Sequence, residues 1–329
     1  MHIFINHLLK RAIITHPKVA GTTVSNVLDW PGALKHQAHP NINGWKQIVS
    51  DSQENYLDLR TVKQLIPSEY KTTLLYRDPI KRYVSGFNFL LLEDLDLVGI
   101  DRTTPEHRLE YWGKKNQDWY NNYVYQILKM SGWMYGLNNN HTERVLLVIW
   151  ILFWELPNSE LLYIDNLDNW IRSVHDLPPD FEIPRHNAAV NNFDKADKSD
   201  QSIKLIQQKF QTTLEILIQR RDGLRDYLHL DRRLFKQLRH LEVGHVQKIS
   251  NIAVTVEIIE QVFNECYPIH DHILHGNTNA EKSYLRALAE WAKNGTDISS
   301  ESRQLINNKI TQIVTRYNHV AEREFNIDV

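Results

Sequence analysis

Thr15-His16-Pro17-Lys18-Val19-Ala20-Gly21-Thr22-Thr23 joins an apolar run, Arg11 to Ile14, to a stretch in which Val24, Val27 and Leu28 recur at helical spacing. The short apolar run reads as a buried strand and the recurrence as a helix face, so the nine residues form a strand-to-helix loop. Such a loop aims unpaired backbone N–H groups and the positive end of the helix dipole at whatever it encloses. Gly21 lets the backbone come close, Lys18 brings a mobile positive charge, and the Thr22 and Thr23 hydroxyls can donate to the same oxygens. The pattern is that of an anion-binding loop. Taken alone, it also fits an ordinary strand-turn-helix with a solvated lysine.

A second segment repeats the arrangement. Thr73 to Tyr76 read as another buried strand, ending in Arg77-Asp78-Pro79-Ile80-Lys81-Arg82-Tyr83-Val84-Ser85-Gly86-Phe87. Pro79 suits the first turn of a helix, and Arg82, Ser85 and Gly86 follow at the spacing of successive turns. If the two strands are parallel neighbours, Arg77 stands beside the first loop, at the sheet edge where open α/β folds bind ligands.

Together these segments resemble the nucleotide-binding elements of sulfotransferases that use 3′-phosphoadenosine 5′-phosphosulfate (PAPS). Pro17-Lys18-x-x-Gly21-Thr22 looks like the family's 5′-phosphosulfate loop, and Arg77-Asp78-Pro79-x-x-Arg82-x-x-Ser85 looks like its 3′-phosphate motif. The carbohydrate-type branch (sulfotransferase family 2-like) is the nearer likeness. Leu161-Leu162-Tyr163-Ile164-Asp165-Asn166-Leu167 resembles its later core strand and turn. Arg185-His186-Asn187, with the helix running on to Leu234-Phe235, resembles the segment that closes its domain. The resemblance spans roughly residues 10 to 240 and departs from the commonest loop at Val19-Ala20, where a small polar residue is frequent. That change leaves backbone cradling intact and removes a side-chain donor.

The resemblance implies an α/β fold: a P-loop-like central parallel sheet with helices on both faces, over residues 1–240, and a helical extension over 241–329. It implies transfer of a sulfuryl group from PAPS to an acceptor hydroxyl, a glycan hydroxyl first among acceptors, with no metal required. Lys18 would steady the bridging oxygen, and Val19, Ala20, Gly21, Thr22 and Thr23 would cradle the 5′-phosphate. Arg77 and Ser85 would grip the 3′-phosphate, while Arg82 fits either that role or a helix-surface salt bridge. A hydroxyl nucleophile needs a base, and a histidine near its ordinary pKa of about 6.5 suits neutral pH. His36 is the first choice and His39 the second. Glu54 is the carboxylate alternative, and His186 is read as structural.

Two other classes stay open. A P-loop kinase shares the strand-loop-helix anion site, but here the lysine precedes the glycine, unlike Gly-x-x-x-x-Gly-Lys-[Ser/Thr]. A nucleotide-binding assembly module without turnover would keep the donor site and work through its helical tail.

Composition narrows the field less. The 329 residues exceed ordinary single-domain size, and a net charge of −2 gives no global field toward nucleic acid or membrane. The lone cysteine, Cys266, cannot form an internal disulfide, and the start lacks a signal peptide's pattern, so a cytoplasmic enzyme is expected. The longest apolar run, Val145 to Trp154, falls well short of the roughly 20 residues that span a bilayer and is read as a buried helix. Residues 93–141 carry Trp112, Trp119, Tyr120, Trp133 and Tyr135, which suit stacking on a sugar, whereas Tyr123 and Tyr125 are read as core. Ile203, Ile206, Phe210, Leu214, Leu217 and Ile218 form an amphipathic stripe. The basic residues from Lys204 to Arg239 are interleaved with acids and read as a solvated helix face. Three more helices are expected, over Val254–Phe263, Ala280–Lys293 (stopped by Gly295) and from Ser299 to about Phe325. Their role is oligomerisation, docking or substrate shaping.

Overall fold

The computed structural model of the chain describes residues 1–16, 19–28, 44–49, 58–82 with 85, 145–183, 229–243, 252–266 and 279–321. In chain order these form β1 (His2–Asn6), β2 (Arg11–Thr15), α1 (Gly21–Leu28), β3 (Trp45–Val49), α2 (Leu59–Leu65) and β4 (Lys71–Tyr76). Then come α3 (Leu146–Glu155), β5 (Ser159–Tyr163), α4 (Leu167–His175), α5 (His229–Val243), α6 (Ile252–Cys266), α7 (Asn279–Asn294) and α8 (Ser300–Ala321). The class is α/β. The expected strands over 11–14 and 73–76, the apolar helix and the three C-terminal helices are all present, within a few residues of their expected bounds.

The five strands make one sheet in the order β3-β1-β2-β4-β5. β2, β4 and β5 are parallel neighbours, with Arg11 opposite Lys71 and Tyr76 opposite Tyr163. β1 runs antiparallel to both β2 and β3, so the sheet is mixed and not wholly parallel as expected. The reason is local. The turn His7–Lys10 is too short for a parallel crossover, which takes a dozen or more residues, so the chain must fold straight back. The Asn6 side chain fastens the turn by accepting from the Leu9 amide at 2.9 Å, and Lys10 takes a left-handed φ of 50°.

Strand side chains alternate between faces, and both faces are buried, which is why these strands read as near-continuous apolar runs. Phe4, Ile13, Leu75 and Leu162 pack with Val24, Val27 and Leu28 of α1 and Leu167 and Ile171 of α4. Ile3, Ile5, Ala12, Ile14, Leu74, Tyr76 and Leu161 pack on the opposite face with α2 and α3. Helices therefore cover both sides.

The helix α3 is apolar around its whole circumference, the mark of an element buried on all sides. One side lies on the sheet. The other meets the C-terminal helices, where Trp150 and Trp291 of α7 stand edge to face with ring centroids 5.6 Å apart. Ile258, Leu288, Trp291, Ile306 and Ile310 belong to the same continuous apolar cluster as Ile3 and Tyr76. No described helix is long and apolar enough to cross a membrane.

A buried carboxylate fixes that junction. Glu155, at the end of α3, accepts from Lys63 Nζ of α2, from Trp291 Nε1 at 2.8 Å, from the Thr296 amide and hydroxyl at 2.8 and 2.9 Å, and from the Asp297 amide at 2.8 Å. Burial pushes its pKa up, but the Lys63 ammonium and the three N–H donors outweigh that and hold it below the ordinary value. Gly295 ends α7 here because a Cβ on it would stand 2.4 Å from the Trp291 carbonyl oxygen and 2.9 Å from Glu155 Oε1.

Candidate functional site

Parallel pairing sends the carboxyl ends of β2, β4 and β5 to one edge of the sheet, and antiparallel β1 brings its amino end to the same edge. His2 is opposite Thr15, and Ile14 is opposite Leu74. The segments that follow β2 and β4 thus leave the sheet side by side, as the sequence implies for the loop and for Arg77.

The described part of the loop is tightly wound. The Val19 amide donates to the His16 carbonyl at 3.0 Å, and the Thr15 hydroxyl donates to the Val19 carbonyl. Val19 is buried under the sheet's α1 face, which fastens the loop from below. Ala20 takes a left-handed φ of 56°, and its carbonyl accepts the first bond of α1, from the Val24 amide at 2.9 Å. The amides of residues 21–23 thus precede the first intrahelical bond and point off the helix N-terminus. An ideal Cβ built on Gly21 would lie 3.3 Å from the His2 ring, so β1 packs close beside the loop.

His16 is the unusual residue. It is 2% exposed, and neither ring nitrogen has a hydrogen-bond partner. Burial drives its pKa well below the ordinary value, and the Met1 amine, Arg82 and His2 push the same way. A buried polar side chain normally finds a partner, so an orphaned ring within a cationic cluster calls for an explanation.

The segment after β4 is built as its sequence suggests. Asp78 heads a helical turn from Pro79: its side chain accepts from the Lys81 amide at 2.9 Å and its carbonyl from the Arg82 amide at 2.8 Å. Pro79 and Arg82 are buried, and Arg77 and Ser85 are partly exposed. Burial lowers the pKa of Arg77, and Asp165, Tyr163 and Asp78 act against it, so the guanidinium stays charged. Asp165 stands in the short 3-10 turn Ile164–Asn166 that follows β5.

Helix α5 closes over the ends of β4 and β5. Glu242 accepts from the Tyr76 hydroxyl, from the Tyr163 amide at 2.9 Å and from Arg239 Nη1 at 2.6 Å, and the Arg239 guanidinium sits 4.7 Å from the Tyr163 ring centroid. Burial pushes the Tyr76 phenol up, and the Glu242 bond and charge push it further. Arg233, another member of the basic series, pairs with Glu257 and Gln261 of α6.

The structure sends the segment after β2, with Val19, Ala20, Gly21 and the described backbone of Thr22 and Thr23, and the segment after β4, with Arg77, Arg82 and Ser85, off the same edge of the sheet. Lys18, His36, His39, Glu54 and His186 lie outside the described residues, as do the aromatic region 93–141 and the stripe 203–218. His2, His16, Asp165, Arg239 and Glu242 join the site without having been assigned a role in it. His16 was visible in the loop itself, but its partnerless burial needs the strand pairing. Among the described residues no group of three or more His, Cys, Asp or Glu side chains is arranged to hold a metal ion. A scan against protein-family models and searches of curated proteins and of solved structures find no match to this chain.

Proposed function

We propose that the chain is a PAPS-dependent sulfotransferase acting on an acceptor hydroxyl, with a glycan as the leading acceptor class. The observation that carries this reading is the parallel pairing of β2 with β4. It sends the strand-to-helix loop after β2 and the Arg-Asp-Pro helix start after β4 off one edge of the sheet, an arrangement that supports one nucleotide being held by both. The three parallel strands β2, β4 and β5 support a P-loop-like core, with β1 and β3 as additions at one side.

In this reading the N-terminal amides of α1, with Thr22 and Thr23, hold the 5′-phosphate, and Arg77 and Ser85 hold the 3′-phosphate. Lys18 neutralises the bridging oxygen as charge develops there. The acceptor hydroxyl attacks sulfur in line. A new sulfur–oxygen bond forms, the bond to the phosphate oxygen breaks, and adenosine 3′,5′-bisphosphate departs. His36, His39 or Glu54 takes the hydroxyl proton.

The test is calorimetric titration with adenosine 3′,5′-bisphosphate, 5′-AMP and ATP, each with and without magnesium. Metal-independent binding that needs the 3′-phosphate, and that Arg77→Ala weakens, is the expected result. Preference for magnesium-ATP returns the chain to a kinase. Bisphosphate binding without transfer to any of a broad set of hydroxyl acceptors returns it to an assembly module.

A further inference from the structure

We propose that Glu242 is a positioning residue for Arg77: by tying the ends of β4 and β5 together it sets where the Arg77 guanidinium stands, and with it the preference for a 3′-phosphate. The inference rests on the reading of Arg77 as the group that grips that phosphate.

Tyr76 and Tyr163 are the last paired residues of the two strands. Past that rung the chains turn away, β4 into Arg77 and the helical turn headed by Asp78, β5 into the 3-10 turn that holds Asp165. One carboxylate reaches both strands at this point. Glu242, in the last turn of α5, accepts from the Tyr76 hydroxyl on β4 and from the Tyr163 amide on β5, the latter at 2.9 Å. It also accepts from Arg239 Nη1 at 2.6 Å, and the Arg239 guanidinium lies 4.7 Å from the Tyr163 ring centroid. The rings of Tyr76, Tyr163 and Phe235 of α5 pack against one another with centroids 5.6, 5.8 and 5.9 Å apart, which backs the tie with a stiff apolar contact.

Arg77 is exposed to both strand exits. Asp78 on its own segment, and Tyr163 and Asp165 on the neighbouring one, act on its guanidinium against the effect of burial. Its surroundings are therefore set by how the β5 exit lies beside the β4 exit. The strand pairing fixes that relation as far as Tyr76 and Tyr163, and Glu242 is bonded to both of these residues. Hydrogen bonds to a carboxylate are shorter and stronger than neutral ones, so one such group can hold two strand ends firmly. A guanidinium grips phosphate through a rigid fork of N–H donors, and a small displacement costs it contacts that a mobile ammonium would keep. Glu242 thus acts on the 3′-phosphate without touching it.

The experiment is calorimetric titration of the full chain with adenosine 3′,5′-bisphosphate and with 5′-AMP, in the parent, Glu242→Ala, Arg77→Ala and the double variant. The quantity read is the ratio of the two affinities. A loss of folded protein weakens both ligands alike and leaves the ratio unmoved, whereas a displaced Arg77 weakens the bisphosphate alone. Glu242→Ala should lower the ratio by roughly tenfold or more, the scale on which an outer partner of a binding residue acts. In the Arg77→Ala background the same substitution should change the ratio little, because two residues that act through one contact are not additive. Glu242→Gln, which keeps an acceptor oxygen and the shape, should recover part of what alanine loses. Tyr76→Phe removes the bond to β4 and keeps the ring, so it serves as the test if Glu242→Ala does not fold, and it should lower the ratio by a smaller factor.

A parent that prefers the bisphosphate, a preference that Arg77→Ala abolishes and that folded Glu242→Ala or Tyr76→Phe retains in full, overturns this inference and leaves the proposed function standing. An equal effect of Glu242→Ala with and without Arg77 overturns it too, since Glu242 then acts by another route. A parent that binds the two nucleotides equally, or binds neither, overturns the PAPS reading and this inference with it.

Discussion

Glu155 and His16 are buried to about the same depth, 4% and 2% exposed, yet their surroundings are opposite. The carboxylate is saturated: an ammonium, an indole N–H, a hydroxyl and two backbone amides converge on its two oxygens from α2, α7 and the turn after α7. The imidazole has no partner and three positive neighbours. A buried group whose capacity is filled by the protein is part of the fold. One whose capacity is left open is free to be completed by something else. The contrast separates the two ends of this molecule more cleanly than their sequences do, since both ends are rich in polar residues beside apolar runs.

The largest effect belongs to the saturated end. Glu155→Ala leaves the Lys63 ammonium and the surrounding donors without their acceptor, and breaking a buried pair in this way costs roughly 3–5 kcal/mol. Urea unfolding should show the loss in one cooperative transition, because α7 and α8 share a continuous apolar cluster with the sheet. A loss below about 1 kcal/mol, or early melting of the C-terminal helices alone, would dissolve the distinction.

Gly295→Ala comes next. Its methyl would collide with the Trp291 backbone oxygen and crowd Glu155, and the turn that supplies the Thr296 and Asp297 amides would have to shift. Overpacking of this kind costs roughly 1–3 kcal/mol. Thermal unfolding of this variant combined with Glu155→Ala checks the coupling. The double variant should lose less than the sum of the singles, since both act on one nest of donors.

The sequence made much of this fold legible and little of the contrast. Strands such as Ala12-Ile13-Ile14 and Leu74-Leu75 are apolar without interruption because both sheet faces are covered, and that signal is local. The helix α3 is equally plain, since ten residues of nearly unbroken apolar character have only one place to go. β1 and β3 escaped because their pairing is decided at a distance. Trp45 to Val49 alternates poorly, with Lys46 and Ile48 both exposed on the sheet's outermost strand. The hairpin turn carries Leu8 and Leu9 at its tip in place of glycine or proline. At the site, the strand-to-helix form of the loop and the helical turn after Arg77 were readable from motif and spacing. Glu242 was not, because it reaches the Tyr163 amide across a sequence separation of 79 residues. The depth of His16 was hidden for the same reason: it depends on β1 lying antiparallel beside β2 and on Arg82 arriving from β4.

The smallest effect is the most discriminating. His16→Leu removes a polar ring that makes no hydrogen bond and replaces it with an apolar side chain of similar bulk, a change that is nearly neutral when no partner is orphaned. At pH 8 stability should move by no more than about 1 kcal/mol in either direction. The difference should then grow on acidification. A histidine with a lowered folded pKa binds fewer protons folded than unfolded, so it contributes nothing above the unfolded value near 6.5 and destabilises progressively as pH falls below it. The parent should therefore lose up to about 1.4 kcal/mol per pH unit that the leucine variant retains, until the folded ring itself titrates. Glu155 adds a separate limb of the opposite residue type, whose stabilisation is lost only as pH drops below the ordinary carboxylate value and through its own lowered pKa. Denaturant midpoints from pH 8 to pH 2 would resolve the two limbs. If His16→Leu instead loses more than about 2 kcal/mol at pH 8, the imidazole is held by a bond of its own, and the two buried groups are structural alike.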